Sequence, residues 1–138
     1  MKAGRFPQSY ENVPVRKALD AINAEPTRES LDALLDAALT GGLVVDVTGS
    51  TQESGTRIRT IASTAGEPVL PLFTSMKALR DAVGAAVKKG VKVQAIIIPA
   101  RDALALIETA DFVAVQFNPG TNTMVVARSH IESALSGR

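Results

Sequence analysis

The chain has 138 residues, 46% hydrophobic and 21% charged, with a formal net charge of +1. That is the size and balance of one globular domain, and no global field would draw in nucleic acid or an anionic membrane. With no Cys, one His, four Phe, one Tyr and no Trp, it offers no disulfide, no thiolate site, no paired histidines and little aromatic platform for bases.

Residues 1–13 are polar and read as an arm, leaving a single domain expected over residues 14–138. No apolar run in the first ten residues resembles a signal sequence, and no segment of about 18 apolar residues could span a bilayer. A cytoplasmic protein of bacterial type is the default expectation. From Pro14, the residues Val15, Ala18, Leu19 and Ile22 recur at helical spacing until Pro26 breaks the pattern. A second helix begins near Thr27, with the apolar stripe Leu31, Leu34, Leu35, Ala38 and Leu39. Gly41 and Gly42 stop it.

Residues 43–47 form a short β run, followed by a polar loop over 49–55. Residues 56–61 alternate as a half-exposed strand and pair as a hairpin with the strand at 68–73, across a turn at 65–67. Pro71 has no amide to donate, which predicts an edge position or an irregularity there. Thr74 or Ser75 caps a helix that buries Met76, Leu79 and Val83, and that ends near Lys88, Lys89 and Gly90. The apolar run at 93–98 reads as an interior strand, and Pro99 starts a helix burying Ala103, Leu104 and Ile107. Strands at 112–117 and 123–127 join across Asn118, Pro119 and Gly120. A capping box, Ser129 to Glu132, opens the last helix. The sum is an α/β (α+β) domain: helices, two of them N-terminal, packed on a mixed sheet of about five to six strands.

The order of these motifs resembles the N-terminal domain of the SseB family, the enhanced-serine-sensitivity proteins. The resemblance rests on the turn at 63–67, the strand ending Leu70-Pro-Leu-Phe-Thr-Ser75, the β run into Pro99 with Ala103 to Leu106, and Asn118-Pro-Gly120. It spans residues 28–136. It implies a compact α/β domain without an established enzymatic activity, in its single-domain form.

Each motif has a structural and a functional reading. Phe73, Thr74 and Ser75 mark a helix entry, which alone accounts for the residue types; exposed, they could anchor a partner or an anion. Asn118, Pro119 and Gly120 have turn chemistry, and with Thr74 and Ser75 they could form a binding rim if both loops meet at one sheet end. The 49–55 loop lacks the ending of a phosphate cradle. His130 lies in a helix's first turn with no triad order around it. Asp46, in an apolar strand, needs a partner such as Arg57 or Arg59. Lys88, Lys89 and Lys92 form a solvated helix end.

The sequence therefore predicts no catalytic residue, no metal site and no cofactor. The leading reading is a non-catalytic cytoplasmic module acting through an unknown protein partner, with a homodimer through a sheet edge near 68–73 as one form of contact. The alternative is a small-ligand binder or enzyme using the rim of Thr74, Ser75 and Asn118 to Gly120.

Overall fold

The computed structural model describes residues 6–7, 9–48, 50–53, 55–84, 93–120 and 123–137. Two helices come first, α1 (Val13–Ala24) and α2 (Arg28–Ala37). Asn12 caps α1, its Oδ1 accepting from the Val15 amide at 3.1 Å, and Pro14 sits in the first turn. Thr27 and Ser30 form a reciprocal capping box at the start of α2. These contacts satisfy helix-end amides that would otherwise lack partners. After α2 the chain turns at Gly41, whose φ of +72° is a region L side chains enter at a cost of about 1–2 kcal/mol.

Among the described residues, six strands form one mixed sheet: β1 (Gly42–Asp46), β2 (Ile61–Ala62), β3 (Pro68–Phe73), β4 (Ala95–Pro99), β5 (Ala114–Phe117) and β6 (Met124–Ala127). Their spatial order is β4-β1-β3-β5-β6, with β2 beside β3. β3 and β5 are parallel, and every other pair is antiparallel. α3 (Met76–Gly84) follows β3; α4 (Ala100–Ala105) follows β4 and runs on into a 3-10 turn, Leu106–Thr109; α5 (Arg128–Gly137) follows β6.

Strand alternation divides the core in two. Leu43, Val45, Leu70, Leu72, Val115, Phe117 and Val126 face α1, α2, α4 and α5 and form the larger cluster. Val44, Phe73 and Ile97 face the opposite way, against Leu79 and Val83 of α3, with Phe6 and Tyr10 packed alongside. β1 is buried at every position because both its faces are covered.

Several expectations give way. β3 is central, not an edge, so the contact imagined at 68–73 has no free strand to use. Pro71 is accommodated because the Leu72 carbonyl accepts from the Asn118 amide on the β5 side. Alternation then turns the amide position of residue 71 to the other side, where the neighbour changes from β2 (Ile61↔Val69) to β1 (Val45↔Leu72). The run at 93–98 supplies β4, an edge strand rather than an interior one. The strand expected over 56–61 shrinks to Ile61–Ala62, because the Arg59 amide instead donates to the Asp46 carbonyl at 2.9 Å. Arg128, not Ser129, opens α5, and Glu132 is held by Arg128 Nε at 2.8 Å. Lys88, Lys89, Gly90 and Lys92 lie outside the described residues. The two hairpins, the two opening helices and the mixed sheet stand as expected.

Candidate functional site

The pairing directions bring the carboxyl ends of β3, β4 and β5 to one end of the sheet, where β1 begins. Helix entries and turns therefore gather there, with Thr74 and Ser75 after β3 and Asn118 after β5. The arm crosses this end. Glu11 bridges Ser75 in antiparallel fashion, and the Asn12 amide donates to the Thr74 carbonyl at 2.8 Å. Asn12 Nδ2 donates to the carbonyls of Gly42 (2.8 Å) and Thr40 (3.3 Å), while the Tyr10 hydroxyl accepts from the Gly42 amide at 2.8 Å. The approach is close: a Cβ would lie 2.6 Å from the Tyr10 hydroxyl at Gly41, and 2.9 Å from the Phe6 ring at Gly42, so either side chain would have to shift.

The two loops singled out from sequence meet through a buried polar lock. The Thr74 amide donates to Asn118 Oδ1 at 2.9 Å, and Asn118 Nδ2 donates to Thr74 Oγ1 at 3.1 Å. Thr74 is 2% exposed and Asn118 5%. Asn118 holds φ +47°, a left-handed conformation that Asn tolerates better than most residues. Ser75 Oγ accepts from the Ala78 amide at 3.0 Å and so caps α3. Phe73 lies beneath in the smaller core cluster. Pro119 is half-buried and Gly120, at φ +93°, is exposed. Of the six rim residues, Thr74, Ser75 and Asn118 line one cleft, Phe73 is buried in the smaller core cluster, and Pro119 and Gly120 continue the turn outside that lining.

A cleft of about 260 Å³ opens over the lock, with Arg16, Asp20, Lys77 and Asp81 among its walls. Both of its cations are engaged by its three carboxylates: Arg16 pairs with Glu11 at 2.8 Å and approaches Asp20 at 3.8 Å, and Lys77 pairs with Asp81 at 2.7 Å. Such exposed pairs are worth little energetically, roughly 0–1 kcal/mol each, but neither cation of the lining is left unpaired to attract an anion. The Ser75 hydroxyl is engaged as a cap and has no histidine beside it; His130 lies on α5, in the wall of a different groove. Among the described residues, no three His, Cys, Asp or Glu side chains are grouped to hold a metal ion.

Asp46 is 2% exposed. Its carboxylate accepts from the Thr48 amide at 2.9 Å and pairs with Arg59 at 3.5 Å. Of the two partners expected from sequence, Arg59 is the one that fastens the 56–60 segment to β1.

Residues 15–133 match the family model described as the SseB protein N-terminal domain. The chain belongs to the SseB family. No curated protein matches it. The SseB match begins inside α1, so Tyr10, Glu11 and Asn12, which tie the arm across the site, precede it. Sequence reading missed them. An asparagine directly ahead of a Val-Pro helix start is an N-cap pattern, and that was the available signal.

Proposed function

We propose that this SseB-family domain is a non-catalytic cytoplasmic module that works by binding protein. The observation that carries the reading concerns the outer strands. Ile96 (38% exposed) and Val125 (55%) are the large apolar side chains most open to solvent among the described residues. They sit on β4 and β6, at opposite borders of the sheet. Neither strand carries a charged residue, although charges are a common device by which sheet edges resist pairing with other chains. The Thr74–Asn118 lock supports the same reading from the other direction, because its buried polar groups are spent on each other. No helix among the described residues is long and apolar enough to cross a membrane.

Cross-linking of the tagged domain in lysate of its source, followed by mass spectrometry, tests this. The expected result is a stoichiometric protein partner, or a second copy, linked near residues 95–99 or 124–127. A strict monomer in solution scattering with no stoichiometric partner would overturn it. The cleft favours one second reading, a small polar ligand held over the Thr74, Ser75 and Asn118 rim, beside Arg16. That reading expects thermal stabilisation by one class of metabolite, lost in Arg16→Ala.

A further inference from the structure

We propose that the free edge of β6 takes up an extended peptide segment of another protein, apolar along its length and carrying a carboxylate. The proposal rests on the protein-binding reading and names the partner's chemistry.

The backbone supplies the first argument. The Arg128 amide donates to the Val113 carbonyl at 2.9 Å. In the β5–β6 register, Val115↔Val126 and Phe117↔Met124 are then the bonded pairs. Antiparallel alternation turns the N–H and C=O groups of Val125 and Ala127 outward. Among the described residues no strand pairs on that side, so the groups are available to an added strand.

The surroundings supply the second. Beside this edge runs a groove of about 490 Å³ between β6 and the α1–α2 turn. Ile22, Pro26, Leu31 and Met124 make its wall apolar. On the opposite face, Val125 stands exposed where α3, which packs on β1 and β3, does not reach. A strand laid along β6 would therefore meet apolar surface through both sets of its alternating side chains.

Charge selects among occupants. The groove's ionisable side chains are Arg28 and His130, with no acid in its lining. Arg28 has no ion pair among the described residues. A second copy offering its own β6, residues 123–128, would bring one arginine and no carboxylate. A segment with an aspartate, a glutamate or a free carboxyl terminus complements Arg28 instead.

Fluorescence anisotropy with short labelled peptides tests the inference. One carries a Val/Ile/Thr core flanked by glutamates, and a control carries the same core flanked by lysines. The acidic peptide should saturate the intact domain with at least roughly tenfold preference over the control, weakening as salt rises. Val125→Pro, which removes an outward amide where an edge proline is tolerated, should lower its affinity at least roughly tenfold. Arg28→Glu, at an exposed position, should erase or reverse the acidic preference without affecting folding. Equal binding of both peptides, no binding, or acidic binding indifferent to both variants would overturn the proposal. So would a concentration-dependent dimer abolished by Val125→Pro without peptide binding, which would make a second copy the occupant. If the peptides fail while a cross-linked protein partner survives both variants, this inference falls and the protein-binding reading stands. If no partner of any kind is found, both fall.

Discussion

Asn118→Ala is the most informative single change at the lock. It removes the Oδ1 that accepts from the Thr74 amide and the Nδ2 that donates to Thr74 Oγ1. Thr74 is 2% exposed, so water cannot readily replace the lost acceptor. Leaving a buried amide unsatisfied costs about 1–3 kcal/mol. Alanine must also hold the φ of +47° that asparagine tolerates, which adds about 1 kcal/mol. The expected total is about 2–4 kcal/mol, a large part of the roughly 5–15 kcal/mol that stabilises a domain. With urea slopes of about 1–3 kcal/mol/M, the unfolding midpoint should fall by about 1 M or more at unchanged slope. Asn118→Gly loses the same bonds but is free of the left-handed strain, so it should be less destabilised than the alanine variant by at least about 0.5 kcal/mol. The reasoning is refuted if alanine costs less than about 0.5 kcal/mol, or if glycine is the worse of the two.

Asn12→Ala removes the α1 cap and the tether to the Gly42 carbonyl, and should cost about 2–3 kcal/mol; Asn12→Ser, which keeps a cap acceptor, should recover roughly 1 kcal/mol of that in the same urea titration. Arg59→Ala leaves the Asp46 carboxylate buried without its counter-ion. Because Arg59 is itself about a third exposed, the expected loss is cut to about 1–2 kcal/mol, and a double-mutant cycle with Asp46→Ala should show positive coupling. Gly41→Ala combines a φ of +72° with a Cβ 2.6 Å from the Tyr10 hydroxyl; calorimetry should show a drop of about 2 kcal/mol or more, with amide exchange rising first in the arm.

What the sequence disclosed was local, and what it hid depended on distant partners. The stripe Leu31, Leu34, Leu35 and the stop at Gly41 identify α2 from adjacent residues alone. Asn118 and Gly120 announce a hairpin because turn geometry is set by the residues that make it. Strand order is another matter. The run at 93–98 looks interior because it is apolar, yet it borders the sheet. Pro71 announces an edge or an irregularity without saying which; β3 is central, and the irregularity is the change of neighbour beside residue 71. Nor does a polar residue ahead of a helix reveal that it will be 2% exposed, as Asn12 is. Its burial follows from carbonyls at Thr40 and Gly42, placed there by the next helix and strand. The meeting of Thr74 with Asn118 was conditional on the parallel pairing of β3 with β5, which no local pattern encodes.

That parallel pairing also sets an order of events as the chain is synthesised. β1, β2 and β3 are all made before residue 74, and they can pair with one another early. The other side of β3 stays open until β5 emerges some forty residues later, with β4, α3 and α4 made in between. The Asn118 that closes Thr74 arrives at the end of that strand. Contacts of such long separation form slowly and leave a central strand temporarily unpaired. A released chain ending near residue 110 should therefore be protease-sensitive, and one that includes α5 resistant.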